Sequence, residues 1–144
     1  RTGKETVTSP ATAGRRGARG PGVVAGGSAA DFFAAHPIDE RTYMAFVTRN
    51  VGIDRQALPI ALDSPAAYIG AMCSRRRWEE TKRLLAADGV PDEKLARVTS
   101  PIGLELNAES PHEIAVSIMA EIIMVQRGGD GQPMAARRHS AEAT

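Results

Sequence analysis

Apolar and polar positions divide the chain into short apolar runs, each followed by a segment with a helix-start signal. Continuous apolar runs of this length are typical of strands buried on both faces of a parallel sheet. They lie at 23–25, 43–48 and 67–72. Strands that alternate with helices indicate parallel βαβ units with right-handed crossovers. The pattern therefore predicts the α/β class, with a parallel sheet flanked by helices.

The helices that follow these runs each begin at a side chain that can cap a helix. Ser28 predicts a helix to about 35, Asp54 one to about 62, and Ser74 one to about 88. Pro59 either kinks the second of these helices or marks its true first turn. Gly89 is expected to end the third.

A final helix begins at a capping box formed by Ser110 and Glu113, with Pro111 at its first position. Apolar residues recur along it at helical spacing and give a broad stripe suited to packing on a sheet. The stripe consists of Ile114, Ala115, Ile118, Met119, Ile122 and Ile123. Glu113 and Glu121 fall on the polar side of this helix, where we expect a solvated surface.

The two ends of the chain lack this periodicity. Residues 1–20 are rich in Thr, Gly, Ala and Arg and predict a disordered basic tail, and 129–144 predicts a flexible tail. One domain is therefore expected over 21–128. The glycines between 17 and 27 contain no G-x-G-x-x-G and follow no predicted strand, so no phosphate cradle is expected there. The absence of an initiating Met indicates a fragment.

Composition narrows the class of protein. The chain has 144 residues, and its net charge of +1 argues against nucleic acid as the main partner. Its single cysteine favours a reducing, cytoplasmic setting. No apolar run approaches the ~20 residues that span a bilayer, so we expect no membrane association.

Candidate chemistry lies where the predicted strands end, because ligands of parallel sheets bind at the carboxyl ends of the strands. Thr48 and Arg49 follow one strand, and Ser74, Arg75 and Arg76 follow the next. A helix start with free amides, beside forked arginine donors, suits a phosphate or carboxylate group. An ordinary cap with solvated arginines is the alternative, and both interpretations stay open.

Two glycines are predicted to shape this crevice. Gly70 lets a backbone segment or a ligand approach the strand closely, and Gly103 permits a tight loop that forms one wall. Cys73 is either a reactive thiolate or a small buried hydrophobe. The three histidines are too scattered to predict a metal site, and no set of catalytic residues is evident.

Several ordered segments together resemble the C-terminal domain of the XdhC/CoxI family. The family's YIGMIGSRRK-type strand and turn and its PIGLDIGAETPEEIAVSILAEIIA-type segment have counterparts in YIGAMCSRRR (68–77) and PIGLELNAESPHEIAVSIMAEIIM (101–124). RTYMAFVTRN (41–50) resembles the family's RTYVVVVTRG-type strand. The similarity extends over about 23–128, with Cys73 and Asn107 in place of family glycines. It implies a Rossmann-like fold, with no counterpart of the first βαβ portion.

The resemblance implies a maturation factor without turnover of its own. Such a factor would bind the molybdenum cofactor, help it acquire its terminal sulfur and deliver it to a xanthine dehydrogenase or carbon monoxide dehydrogenase-type apoenzyme. A cysteine desulfurase is a further implied partner. The residues expected to bind the cofactor are Thr48, Arg49, Gly70, Ser74, Arg75, Arg76 and Gly103.

Two other hypotheses stay open. The first is an NAD(P)-binding oxidoreductase domain with NAD(P) as cofactor, although the chain lacks the G-x-G-x-x-G motif. The second is a truncated remnant that pairs its exposed sheet edge as a homodimer.

Overall fold

A computed structural model of the protein describes residues 6–7, 24–25 and 28–137. Its strands are β1 (Thr6–Val7), β2 (Val24–Ala25), β3 (Tyr43–Phe46), β4 (Tyr68–Ala71) and β5 (Val98–Thr99). Its helices are α1 (Ala29–Ala35), α2 (Val51–Leu62), α3 (Arg75–Ala87), α4 (Asp92–Leu95) and α5 (Pro111–Arg127), followed by a 3₁₀ turn at Met134–Arg137. Within these ranges, no helix has both the length and the apolar character to cross a membrane.

The strands form two parallel groups. β1 pairs with β2, and a three-stranded sheet has the order β3-β4-β5. In that sheet Tyr43 lies opposite Tyr68, and Ile69 lies opposite Val98. Parallel strands joined through helices confirm the predicted α/β class.

The core lies where α2 and α3 cover the central strand. All four residues of β4 are buried, as expected for the middle strand of a parallel sheet. The largest fully buried side chains come from α2, β4 and α3: Leu58, Leu62, Ile69 and Leu85. This core fixes the carboxyl end of β4 relative to the helices that begin beside it.

Strand lengths and positions differ most from the sequence prediction at β3, β5 and β1. β3 ends at Phe46 rather than at residue 48, and it is half-buried because it has only one neighbour in its sheet. β5 was not predicted, since two residues carry no periodicity and pairing with β4 defines the strand. A third difference is β1, because the sequence pattern predicted no strand in 1–20. The rest of that segment lies outside the described residues.

Most helix boundaries follow their predicted caps. Ser28, Ser74 and Ser110 each accept a backbone N–H from the first turn of their helices, and Gly89 takes the left-handed conformation with φ +94° after α3. The prediction for α2 was wrong, because the helix begins earlier. Asn50 caps it by accepting the N–H groups of 52 and 53, which leaves Pro59 inside the helix.

The apolar stripe of α5 divides between two surroundings. Ile118 is buried against the domain, whereas Ala115, Met119 and Ile123 are exposed. The prediction that this whole stripe packs on the sheet was therefore wrong, because the helix touches the domain along only one edge of the stripe. Glu121 lies on that packed edge and is partly buried, which also corrects its predicted solvated position.

Arg97 joins the end of α4 to the connection between α2 and β4. Its guanidinium donates to the backbone oxygens of Leu62 and Ser64 through Nη1, and to that of Ala66 through Nη2. The Leu62 oxygen lies in the last turn of α2, where carbonyl groups lack intrahelical partners. A cation at a helix C-terminus also interacts favourably with the helix dipole. Arg97 therefore fixes the path of the chain into β4.

The capping box of α5 gives a prediction for the pH dependence of stability. The Glu113 carboxylate accepts the N–H groups of Ser110 and Glu109 at 2.8 and 2.9 Å, and these bonds hold its pKa below the ordinary value of 4.5. A lowered pKa in the folded state adds stability above 4.5 that is lost as pH falls through the folded value. Glu113→Gln keeps a capping acceptor but does not titrate.

The free energy of unfolding should therefore be higher for the wild type than for Glu113→Gln at neutral pH. The difference should shrink as the pH falls below 4.5 and through the lowered pKa of the folded state. Urea denaturation at a series of pH values measures it. A difference that stays constant with pH would contradict the role assigned to the carboxylate.

Candidate functional site

The carboxyl ends of β3 and β4 lie side by side. The backbone N–H of Met72 donates to the Phe46 oxygen at 2.8 Å, one step beyond the last paired residues of the two strands. The loop Thr48-Arg49-Asn50 then leads into α2, and the loop Cys73-Ser74 leads into α3. Two helix N-termini therefore begin beside each other at one edge of the sheet, which is where parallel sheets bind ligands.

A buried carboxylate links the two loops. Asp54, one turn into α2, is 8% exposed. Its Oδ1 accepts from the Thr48 hydroxyl at 2.5 Å, and its Oδ2 lies 3.6 Å from Nη2 of Arg77 in the first turn of α3. Arg77 Nη2 is itself buried and forms no hydrogen bond within the described part of the chain. Arg77 is thus directed into the protein rather than into the crevice.

The remaining arginines of this edge are free to meet a ligand. Arg49, Arg75 and Arg76 are exposed, and none forms an ion pair within residues 28–137. The Ser74 hydroxyl accepts the N–H of Arg77 at 3.3 Å. The amides of Arg75 and Arg76 open the helix and have no intrahelical acceptor. This combination of free amides and forked cations matches the geometry of phosphate and carboxylate groups.

The third loop of this edge follows β5. The Ser100 hydroxyl donates to the Ala71 oxygen at 3.0 Å, and Cys73 Sγ lies 3.2 Å from Ser100 Oγ. Ser100 is joined to Pro101 by a cis peptide bond. These contacts hold the loop after β5 against the end of β4 and place the partly buried Cys73 thiol between the two strands.

Beyond Ser100, this loop packs against α5 through a buried polar cluster. Glu121 Oε2 accepts from the Tyr68 hydroxyl at 2.6 Å and from the Gly103 N–H at 2.9 Å. Burial, together with the Glu121 carboxylate, raises the pKa of the Tyr68 phenol well above its ordinary value. Tyr68 therefore remains a hydrogen-bond donor throughout the neutral range.

The two glycines predicted for the crevice are closely surrounded by the protein's own atoms. A Cβ on Gly70 would lie 2.5 Å from the Tyr68 oxygen and closer still to Ile102 Cγ2. Gly103 has a φ of +110°, and a Cβ there would overlap Ser117 Oγ. At Gly70 the close neighbours are side chains, Ile102 of the loop and Tyr68 of β4 itself, rather than the expected backbone segment or ligand. At Gly103 the positive φ agrees with the expected tight loop, and Ser117 of α5 is the close neighbour. Contact of either glycine with a ligand stays a prediction.

The predicted site residues therefore divide into two groups. Ser74, Arg75, Arg76 and Arg49 border one crevice, and Thr48 lies beneath it with its hydroxyl committed to Asp54. The second group, Gly70 and Gly103, belongs to the packed wall between the sheet and α5. The glycines at 17, 20, 22, 26 and 27 lie outside the described residues, so the expectation about a phosphate cradle there stays a prediction.

Sequence reasoning missed Asp54 and Glu121 as structural anchors, yet a signal for both was present. Asp54 shares a helix face with Ala57, Leu58 and Ala61, at i+3, i+4 and i+7, and all three are buried. A carboxylate at an apolar position of a helix must find partners, because an unpaired buried charge is costly. Glu121 stands in the same relation to Ser117 and Ile118, the buried residues of α5.

A separate groove of about 460 Å³ lies between α3, α4 and β5. Its walls include Trp78, Lys82, Asp92 and Leu95, so acidic and basic groups both line it. It does not open at the carboxyl ends of the strands, and on this ground the strand-end crevice is the better candidate site. No group of three acidic, histidine or cysteine side chains able to hold a metal occurs in the described ranges.

Comparison with known families identifies the fold. A family model described as the XdhC Rossmann domain matches residues 5–122. The match begins upstream of position 23, where the resemblance seen in the sequence starts, and it includes β1. It confirms both the XdhC resemblance and the Rossmann-like fold that the resemblance implied.

Three known proteins are similar to parts of the chain. The uncharacterized protein YqeB of Escherichia coli is 38% identical over 86 residues, which are 60% of this chain and 16% of that protein. A protein of Bacillus subtilis, described as a probable xanthine dehydrogenase component, is 45% identical over 60 residues, which are 42% of this chain and 16% of that protein. The crystal structure of a xanthine dehydrogenase from Bacillus halodurans gives a TM-score of 0.60 at 31% identity, covering 73% of this chain and 29% of that one.

The chain thus spans 16% of the length of each curated relative. The family match, by contrast, extends over most of the chain, and the parallel sheet with its flanking helices agrees with it. On this basis the protein belongs to the XdhC family, of which it contains the Rossmann domain.

Proposed function

We propose that this chain binds the molybdenum cofactor and serves as an accessory factor for a xanthine dehydrogenase or carbon monoxide dehydrogenase-type hydroxylase. The observation that carries the proposal is the crevice at the ends of β3 and β4. There the exposed guanidiniums of Arg49, Arg75 and Arg76 lie beside the free amides of the α3 N-terminus. Family membership supplies the biochemical context.

The residues present suit the phosphate end of such a cofactor. Arg75 and Arg76 offer planar, forked donors that match phosphate oxygens two at a time, and the first amides of α3 offer further donors without a charge of their own. Arg77 is directed to Asp54 and contributes no donor to the crevice. When bound, the cofactor would supply the molybdenum centre of the client enzyme, while this chain binds and orients it.

The proposed partners follow from the same context. A molybdenum hydroxylase apoenzyme is the proposed recipient, in keeping with the xanthine dehydrogenase names of the Bacillus relatives. A cysteine desulfurase is the proposed source of the cofactor's terminal sulfur. Mixing the purified chain with purified apo-xanthine dehydrogenase, with and without cofactor, and measuring the mass of the complex by light scattering tests the first of these contacts.

Binding can be followed through Trp78, the one tryptophan of the chain. It is buried in the first turn of α3, next in sequence to Arg77, and it also lines the separate groove. Its fluorescence therefore reports binding near α3, and variants of the crevice arginines decide where the ligand lies. The wild-type chain should bind purified molybdenum cofactor. A parallel titration of free tryptophan amide corrects the fluorescence for light that the cofactor absorbs. Arg75→Ala/Arg76→Ala should weaken this binding at least about tenfold, because hydrogen bonds to charged groups are each worth about 1.5–3 kcal/mol.

A matched control removes the same charge elsewhere. Arg83 and Arg127 are exposed on the outer part of α3 and at the end of α5, and Arg83→Ala/Arg127→Ala should leave binding within about twofold of the wild type. Absence of cofactor binding by the wild type would overturn the proposal, as would equal weakening by the two double variants. Binding of NADPH but not of the molybdenum cofactor would favour the oxidoreductase hypothesis instead.

A further inference from the structure

Asp54 makes contacts with both loops of the crevice, yet its carboxylate does not face the crevice. Its side chain is 11% exposed, and that of its partner Arg77 is 25% exposed. Through Oδ1 it holds the Thr48 hydroxyl, next to Arg49 on the loop after β3. Through Oδ2 it pairs with Arg77, whose own N–H donates to the Ser74 cap of α3. One carboxylate therefore connects the start of α2 with the start of α3.

This connection determines which arginines face the crevice. Three consecutive arginines open α3, and successive helical positions point in directions about 100° apart. The pair with Asp54 fixes Arg77 toward α2, so Arg75 and Arg76 are left on the outer side of the turn. The Thr48 contact also sets how far Arg49 stands from them, because Thr48 immediately precedes it. Without Asp54 neither the orientation of Arg77 nor the spacing of the loops would be defined.

We propose that Asp54 is a positioning residue for the anion site, acting on bound ligand through Arg77 and Thr48 without touching it. The inference rests on the proposed function, since it concerns the same crevice. The exposed arginines alone do not indicate this role for Asp54, and the role explains why a carboxylate is buried at this position. Burying a carboxylate costs free energy that an apolar residue at this position would not.

The test uses substitutions that separate position from charge. Asp54→Asn removes the negative charge, and Thr48→Val removes only the hydroxyl and leaves the net charge unchanged. The matched control is Asp88→Asn, because Asp88 forms an exposed pair with Arg55 at 2.5 Å. This control changes the net charge as Asp54→Asn does and also releases an arginine, Arg55, which follows Asp54 on α2, but it leaves the contacts of Asp54 with Thr48 and Arg77 in place.

Titration with purified molybdenum cofactor, followed through Trp78 fluorescence well below each unfolding midpoint, should give about tenfold weaker binding for Asp54→Asn and Thr48→Val. Asp88→Asn should bind within about twofold of the wild type. A pair of Arg77 variants, one conservative and one not, distinguishes a loss of positioning from a loss of stability alone. Arg77→Lys keeps a cation for Asp54 and should retain most of the binding, whereas Arg77→Met should lose it.

The outcomes separate this inference from the proposed function. If Asp54→Asn and Thr48→Val bind the cofactor as tightly as the wild type does, the positioning role is overturned and the proposed function stands. Tighter binding by Asp54→Asn would also overturn it, because a released Arg77 would then serve as a ligand contact. If the wild type binds no cofactor, both the proposed function and this inference fall.

Discussion

Replacing Gly70 by alanine should lower the free energy of unfolding by about 2–3 kcal/mol, the usual cost of overpacking a core. The added Cβ would lie within van der Waals overlap of both the Tyr68 ring and Ile102 Cγ2. Gly70 is buried in the central strand and paired on both sides, opposite Ala45 and Thr99. The strand therefore cannot shift, and the neighbouring side chains must leave their positions.

Chemical denaturation of Gly70→Ala against Gly129→Ala measures this effect. A Cβ on Gly129 would find only ordinary contacts, the closest at 3.8 Å, so this control should stay within about 0.5 kcal/mol of the wild type. Combining Gly70→Ala with Ile102→Ala removes one of the two overlaps and should cost less than the sum of the single effects. Additive costs would show that the two positions do not share this space.

Replacing Glu121 by alanine should also cost about 3 kcal/mol, because two donors lose their acceptor together. The Tyr68 hydroxyl is in a side chain only 5% exposed, and the Gly103 N–H lies in the loop that packs on α5. Glu121→Gln retains a carbonyl oxygen that can accept from both, so we expect it to cost about 1 kcal/mol.

A double-mutant cycle of Glu121→Ala with Tyr68→Phe isolates the contact between the two side chains. Tyr68→Phe removes the hydroxyl that would be left unpaired, so the double variant should be more stable than the sum of the single effects predicts. Denaturation of all four proteins under one condition gives the coupling free energy. A coupling free energy near zero would mean that the observed 2.6 Å hydrogen bond contributes nothing to stability.

Features set by local sequence were predicted well. Ser28, Ser74 and the Ser110–Glu113 box begin their helices as expected, because a cap needs only a polar side chain and the next three amides. Asn107 stands where the family has a glycine, and its φ of +53° is a left-handed conformation that asparagine adopts more readily than most residues.

Features set by distant partners were not predictable in the same way. β5 is a strand only because its two residues lie beside β4, which is 29 residues earlier in the chain at the Ile69–Val98 pair. Likewise, Glu121 looked solvated because its two donors, Tyr68 and Gly103, lie 53 and 18 residues away. The sequence prediction placed it on the polar side of α5, and nothing in one sequence names the donors that meet it on the packed edge.

For the candidate site, sequence and structure each supplied a part. The motif around Ser74 indicated both the crevice and its arginines, because the residues of a helix N-terminus that can bind an anion are adjacent in the sequence. The sequence could not say that Arg77 turns inward, because Asp54 lies on another helix. The two glycines show the same limit, since their neighbours come from a loop and a helix far along the chain.

The hydrogen bonds of Arg97 constrain the amino-acid sequence differently at their donor and acceptor ends. All three of its hydrogen bonds end on backbone oxygens of Leu62, Ser64 and Ala66, and every residue type carries such an oxygen. The connection before β4 can therefore change its outward-facing side chains and keep these hydrogen bonds. Lysine at 97 would lack the forked donors that reach several oxygens at once. Substitutions are therefore tolerated in the connection, and the residue type is constrained only at position 97, which lies 31 to 35 residues away.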